Sequence, residues 1–173
     1  MYALVKNNNI TETFEKSKAM MINNIQYAKN IFTIWTEAEL NAIGLYTVEE
    51  NNTNLKDSYY YTNTSISYVF ESNKVKSSYG SPTAKNLATL KTAKIKEVNS
   101  LAMYKLRETD WEVIKAKELD ESVASATTTY RASVRTKANS METQINNASD
   151  VDALAALYIY TDGTRPLGEL PTE

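Results

Sequence analysis

The sequence predicts an α+β fold, with a small β-rich α/β head over residues 1–80, an antiparallel helical hairpin over 81–160 and an extended tail over 161–173. Three observations predict it. Up to Gly80, short segments rich in tyrosine, threonine and β-branched residues alternate with turns containing asparagine and glycine, which is the grammar of strands. Between Gly80 and Gly163 glycine is absent and alanine becomes frequent, as helices favour. From Val123 to Ala148, apolar positions recur at steps of three and four residues, the period of a helix with one buried face. With 173 residues the chain can hold one ordinary domain or two small ones, and a hydrophobic share of 42% is enough for a packed core.

The head reads as follows. Tyr2-Ala3-Leu4-Val5-Lys6 is a short strand that stops at Asn7-Asn8-Asn9, since asparagine side chains mimic backbone groups in turns. The stretch from Thr11 to Met21 is open: Phe14, Lys18 and Met21 share a helical face, but no cap starts a helix there. Ile25 to Trp35 is β-branched and aromatic, so it is expected to be extended or partly strand. Thr36 stands three residues before Glu39, the capping-box spacing, and predicts a helix over Glu37 to Ile43. Gly44 ends it, because glycine adopts positive φ without steric cost. Leu45 to Val48 is a strand, Glu49 to Asp57 a polar loop, and Ser58-Tyr59-Tyr60-Tyr61-Thr62 follows. Ile66–Glu71 and Lys74–Tyr79 flank Ser72-Asn73, which reads as a tight hairpin. Gly80-Ser81-Pro82 marks the boundary.

A helix is then expected over Thr83 to Leu106, about 36 Å long, with Ala84, Leu87, Ala88, Ile95, Val98, Leu101, Ala102 and Leu106 periodic. Lys91 and Lys94 interrupt that stripe and are expected to bury their methylenes while keeping their charges wet. Thr109 and Glu112 repeat the capping-box spacing and open a short helix carrying Trp111, Val113 and Ile114. Leu119-Asp120-Glu121 turns the chain. A long helix from about Ser122 presents Val123, Ala126, Tyr130, Val134, Ala138, Met141, Ile145 and Ala148 on one face. Ser149 and Asp152 resemble a cap for a last helix over Ala153 to Tyr160, and Thr161-Asp162-Gly163 ends it. Neither stripe is wide, so a second copy or another protein is expected to cover remaining apolar surface.

Composition excludes several functions. There is no histidine and no cysteine, so disulfides, thiolate nucleophiles, Cys/His zinc sites and a Ser-His-Asp relay are impossible. No glycine-rich phosphate loop and no calcium loop of the DxDxDG type is present. Glu118, Asp120 and Glu121 are the best carboxylate cluster, but they fall in a turn where charges are usually solvated; a small carboxylate hydrolase is the remote reading. Glu49 and Glu50 are adjacent and would face opposite sides of a strand, and Asp150 and Asp152 suit a helix start. The chain is therefore expected not to be an enzyme and to need no cofactor or metal. The balance of 19 basic and 21 acidic residues leaves no electrostatic footprint for nucleic acid or membrane. No apolar run approaches the roughly 20 residues of a membrane span, and Met1 to Asn9 lacks the apolar stretch of a secretory signal.

Two segments, Asp110-Trp111-Glu112-Val113-Ile114-Lys115 and Tyr130-Arg131-Ala132-Ser133-Val134-Arg135, resemble a motif of tailed-bacteriophage tail proteins and tail or tail-fibre assembly chaperones. Leu101 and Leu106 precede it as in that pattern. In the head, Tyr27-Ala28-Lys29-Asn30-Ile31-Phe32, Trp35 and Glu39 to Leu45 are similar to the amino-terminal segment of small phage tail proteins. The resemblance spans most of Tyr27 to Ala156, through short motifs whose order and spacing carry more weight than any one of them. It departs from the pattern at the polar turn, Leu119 to Ala124, which carries no proline here.

That resemblance implies a structural protein of the phage tail, docked at the baseplate or tail-fibre attachment region, with other tail, baseplate or tail-fibre proteins as partners. The alternative it implies is a transient assembly chaperone that is absent from the finished virion. The corresponding locations are the virion tail or the host cytoplasm during assembly, and a homo- or hetero-oligomer is expected. The candidate partner-binding residues are Trp35, Tyr59, Tyr60, Tyr61, Trp111, Tyr130, Arg131 and Arg135. Tyrosine and tryptophan suit interfaces because each joins a large apolar ring to a polar tip. Each residue also has an ordinary reading. Tyrosine and threonine are favoured in strands, Trp111 and Tyr130 suit a core, and Arg131 and Arg135, four apart on one face, suit solvation or pairing with Glu112 or Glu118.

Overall fold

The computed structural model describes residues 1–172 and divides into two compact units between Thr83 and Ala84. The fold is α+β: the first unit is built on a mixed sheet and the second is helical.

In the first unit a five-stranded sheet runs in the order β2-β1-β5-β8-β7, formed by β1 (Tyr2–Lys6), β2 (Asn9–Phe14), β5 (Leu45–Asn51), β7 (Ile66–Glu71) and β8 (Lys74–Tyr79). β5 and β8 pair in parallel, and the other neighbours are antiparallel. Cα atoms of the two outer strands, β2 and β7, approach within 8 Å, so the sheet curls. β1 is buried on both faces, which is why Ala3-Leu4-Val5 is an unbroken apolar run. Ala3 and Val5 meet Val75 inside the curl, with Ile10, Tyr46, Val48 and Phe70 around them. Leu4 points the other way and joins Met20, Ile22, Ile31, Leu40 and Leu45.

That outer core is closed by the ladder of β3 (Met20–Ile22) with β4 (Ile25–Tyr27), by the single turn α1 (Ile31–Ile34) and by α2 (Glu37–Ala42). The segment Thr11 to Met21, left open by the sequence, is thus strand at both ends rather than helix. The span Ile25 to Trp35 is strand at its start and helical at its end. The capping box forms at α2: Glu39 N–H donates to the Thr36 hydroxyl at 3.3 Å, and Thr36 N–H donates to the Glu39 carboxylate at 2.7 Å. β5 continues through Asn51, so the polar loop begins three residues later than the expected Glu49. β6 (Tyr61–Thr62) is the only strand in the tyrosine run.

Three hairpins turn on residue pairs with positive φ: Asn7 and Asn8 (50° and 61°), Asn23 and Asn24 (51° and 64°), Ser72 and Asn73 (52° and 60°). Two consecutive left-handed residues make the primed turn that matches strand twist, and asparagine tolerates that conformation better than most residues.

β9 (Thr83–Ala84) ends before the helical unit proper. α3 starts at Leu87, not Thr83, and runs to Glu108. Its cap is Asn86, whose side chain accepts from Thr89 N–H at 2.9 Å. α4 (Asp110–Glu118) follows after the single residue Thr109, and α5 (Ser125–Asn147) begins three residues later than the expected Ser122. α3 and α5 are antiparallel, since Lys91 near the start of α3 donates to the Asn146 carbonyl near the end of α5 at 2.8 Å. The α5 stripe is buried from Tyr130 through Val134, Ala138, Met141 and Ile145, with Thr127 rather than Ala126 extending it. On α3, Leu90, Val98 and Ala102 are buried, whereas Ala88 and Leu101 are exposed; Ala84, expected on the same stripe, lies in β9 and is exposed. Lys94 has only 12% of its side chain exposed, pairs with Glu97 at 2.9 Å and lies 4.2 Å from the centre of the Tyr158 ring.

α6 (Val151–Ala156) is capped by Asp150, which accepts from Ala153 N–H at 2.8 Å, so the last helix starts and ends earlier than the sequence suggested. The segment 161–173 is not the extended tail expected. Through Thr172, its described part turns at Asp162 and Gly163 and again near Gly168, all at positive φ. It is held inward because Leu167 is fully buried, its N–H donates to the Leu157 carbonyl at 3.1 Å and its carbonyl accepts from Lys137 Nζ at 2.9 Å.

Two expectations follow. Gly44 sits at φ 86°, and a Cβ there would lie 2.6 Å from the Val5 carbonyl oxygen. Gly44→Ala should therefore cost about 2 kcal/mol or more, from left-handed strain plus a backbone clash, read as a lower urea midpoint; an unchanged midpoint refutes it. Glu39 is held below the usual carboxylate range, first by the Thr36 backbone N–H and then by its hydroxyl, and Asp150 likewise, first by the Ala153 N–H and then by Ser149. A carboxyl whose folded pKa is depressed contributes stability above its unfolded pKa and loses it as pH falls through the folded value. Glu39→Gln and Asp150→Asn should each flatten the acid limb of a stability-against-pH curve between those limits.

Candidate functional site

The helical unit sets its outer surface through Thr109. That residue is 1% exposed and separates α3 from α4. The spacing Thr109 to Glu112 suggested a capping box, but none forms. Thr109 has φ −109° and ψ 6°, outside the extended region that a capping residue uses. Its hydroxyl instead donates back to the Leu106 carbonyl at 3.2 Å and accepts from Arg131 Nη1 at 2.8 Å. Glu112 is diverted too, since its carboxylate accepts from the Thr127 hydroxyl of α5.

Arg131 is the organiser of this corner. Its Nη1 also donates to the Leu106 carbonyl at 2.6 Å, and its Nη2 pairs with Asp110 at 2.8 Å. The guanidinium thereby satisfies the covered end of α3 and the first residue of α4 together. With Asp110 and Glu112 both tied toward α5, the buried side of α4 is Ala116, at 7% exposure. The opposite side carries Trp111 and Ile114, 61% and 57% exposed, together with exposed Lys115 and Glu118. Leu119, at the C-cap, is 56% exposed. Beside the Trp111 ring lies a hollow of about 220 Å³, lined in part by Ala116, Val123 and Ala124. A second groove, of about 430 Å³, runs between α3 and α5, with Met103 and Leu106 on one wall and Arg131 and Arg135 on the other.

The eight residues singled out from the sequence fall into distinct places. Trp35 is half-buried on the outer core of the first unit and stands edge-on to Tyr27, with ring centres 5.7 Å apart. Tyr59 is exposed and meets Tyr60 edge-on at 4.9 Å, whereas Tyr60 is buried. Tyr61 is half-buried, with the Lys56 ammonium 5.7 Å from its ring centre. Tyr130 is a core residue at 8% exposure, and Arg131 is occupied inside the unit. Arg131 pairs with Asp110, not with Glu112 or Glu118. Trp111 neither belongs to the core nor packs as an anchor against Tyr130; it faces outward. Arg135 is exposed on the groove wall. Trp111, Tyr59 and Arg135 are therefore the exposed members of the set.

Sequence reasoning missed the neighbours of Trp111. Ile114, Lys115 and Glu118 share its face at helical spacing, a signal present in the sequence, where Ile114 and Lys115 read as the body of a short helix and Glu118 as part of a carboxylate cluster in a turn. It also missed Met103, Tyr104 and Leu101, which are 67%, 65% and 48% exposed on α3. The carboxylates of Glu118, Asp120 and Glu121 are exposed, and no group of three potential metal ligands occurs among the described residues. No described helix is long and apolar enough to cross a membrane.

No protein-family model, curated protein or solved structure matches this chain.

The division of labour between the two arginines is measurable. Arg131→Ala should cost about 2 kcal/mol, because it strips a charged donor from the Leu106 carbonyl, Thr109 and Asp110 at once. Arg135→Ala should stay within about 0.5 kcal/mol, as surface substitutions do. Urea titration of both variants checks this; equal losses would refute it.

Proposed function

We propose that this protein is a structural component of a bacteriophage tail that docks other tail, baseplate or tail-fibre proteins through α4. Two things support the reading. Asp110 to Lys115 and Tyr130 to Arg135 are the segments that resemble tail and tail-assembly proteins, and they are the segments that Arg131 joins physically. The observation that carries the docking role is the exposure of Trp111 at 61% on a helix tied to α5 by the Arg131–Asp110 pair and the part-buried Thr127–Glu112 hydrogen bond. A large exposed apolar ring beside a hollow suits a site for another polypeptide, since tryptophans are enriched where partners meet. Ile114 and Leu119 extend the apolar area, and Lys115 and Glu118 give it a polar rim.

Catalysis has little to work with in this chain. Histidine and cysteine are missing from the sequence, and the carboxylates of Glu118, Asp120 and Glu121 are exposed.

The test is a mass-spectrometric census of purified particles from a lysate in which the chain is produced, compared with unassembled subunits from the same lysate. A tail component is expected in the particles at fixed stoichiometry. Absence from the particles overturns the structural role, and recovery with unassembled subunits alone is what a transient assembly chaperone gives. Trp111→Ala should leave the thermal midpoint nearly unchanged while reducing incorporation at least tenfold; a destabilised variant would mean that the ring acts in folding instead.

A further inference from the structure

The curled sheet of the first unit is incomplete at one end, and that end holds a cavity. β1 is antiparallel to β5, β5 is parallel to β8, and β8 is antiparallel to β7, so β1 and β7 run the same way and the turns that follow them lie together. β8 pairs with β5 only from Val48 onward, so Tyr46 is laddered to β1 alone. A cavity of about 460 Å³ opens where the second ladder stops. Asn7 and Asn8 line it from one turn, Ser72 and Asn73 from the other, and Tyr46 and Phe70 from the strands. The two aromatic residues are half-buried against the core inside the curl, with ring centres 4.9 Å apart. The Tyr46 hydroxyl donates to Asn73 Oδ1 at 3.0 Å, which holds that carboxamide and leaves its NH2 group to donate. The side chains of Asn7, Asn8 and Ser72 have no hydrogen-bond partner among the described residues.

From this lining we infer that the cavity binds a neutral sugar ring. Glu71 is the one charged residue on the wall, so no cation is there to hold a phosphate or a carboxylate. A single carboxylate also falls short of the oxygen cage that a hard cation takes. What the wall presents instead is carboxamides and hydroxyls beside aromatic rings. A carboxamide donates and accepts from one planar group, and each sugar hydroxyl also does both, so adjacent hydroxyls can pair with one asparagine. An aromatic face is electron-rich and attracts the polarised C–H groups on the apolar side of a pyranose. Small ligands bind in concave sites of roughly 300–1,000 Å³ that combine apolar walls with a few convergent polar groups, the mouths of curled sheets among them. The residues of both turns are exposed, so the site is open and its affinity is millimolar. It lies wholly within the first unit and is independent of α4.

The experiment is a titration of the full nitrogen-15-labelled chain with the methyl glycosides of glucose, galactose, mannose and N-acetylglucosamine, followed by two-dimensional proton–nitrogen NMR. Asparagine NH2 groups give their own signals in such spectra. At least one glycoside is expected to shift those of Asn7, Asn8 and Asn73 saturably, while those of Asn23 and Asn24, in the turn between β3 and β4, stay in place. Asn8 and Asn73 stand at φ 61° and 60°, which glycine adopts without cost, so Asn8→Gly and Asn73→Gly keep their turns and lose only the amide. Each should weaken binding about fivefold, the equivalent of one hydrogen bond, with the other backbone signals unmoved. Asn24→Gly, the same change at φ 64° outside the cavity, should leave binding unaltered. The assignment is overturned if none of the four glycosides moves the three asparagine signals, or if both cavity variants bind as the wild type does. It is also overturned if adenosine moves those signals and the glycosides do not, since the cavity would then be a site for a flat aromatic base.

Discussion

The helical unit depends on one guanidinium. Arg131 lies 12% exposed at the corner where α3 gives way to α4 after a single residue, and it binds the Leu106 carbonyl, the Thr109 hydroxyl and the Asp110 carboxylate. A helix end that is covered by protein must find partners for its last carbonyls. Arginine meets this need in planar geometry and stays charged, which a lysine would do less well. Because the guanidinium is held by α5, the direction of α4 follows from the position of α5. The long core stripe from Tyr130 to Ile145 fixes that position in turn. Packing, one charged hydrogen-bond network and the direction of a short surface helix are thus linked in sequence.

The first unit answers to a different constraint, the hand of its turns. Its hairpins, two in the curled sheet and one joining β3 and β4, are closed by two-residue turns with both residues left-handed. At those positions most side chains are strained, and asparagine occupies five of the six. The asparagine content that looks like a loop signature in the sequence is a hairpin signature in the structure. Gly44 solves a tighter problem, where α2 returns to the sheet against the Val5 carbonyl and no side chain fits.

What the sequence disclosed followed from periodicity and from local chemistry. The α5 stripe, the capping box at Thr36 and the Ser72-Asn73 hairpin are each written in neighbouring residues and needed no knowledge of the fold. What it hid depended on distant partners. Thr109 and Glu112 have the spacing of a capping box, yet Arg131 and Thr127 outbid the local pairing once α5 packs alongside. Thr11 to Met21 became strand at both ends because β1 and β4 offered ladders there, which overrode a weak helical pattern. The tail from Thr161, which carries Pro166 and Pro171, is expected from the sequence to be extended. It folds inward because Leu167 finds a fully buried site, a fact no local pattern states. Among the candidate residues, composition singled out tyrosine and tryptophan as types, but only burial separates Trp111 and Tyr59 from Tyr60 and Tyr130.

The outward aim of Trp111 follows from the ties that hold α4. Asp110 and Glu112 flank it in sequence and both reach toward α5, so on a helix of 3.6 residues per turn the residue between them points away. Rolling α4 by half a turn would bury the indole in place of Ala116. That would gain on the order of 3 kcal/mol from the ring area now in water. It would also break the Arg131–Asp110 pair and the Glu112–Thr127 hydrogen bond, and leave Arg131 short of a partner at a site where charge is costly to strand. Those losses match or exceed the gain, so the folded chain keeps the ring outside. The apolar surface on α4 is therefore a consequence of part-buried polar ties, and the free energy left unrealised at Trp111 is what a second polypeptide can recover by covering it.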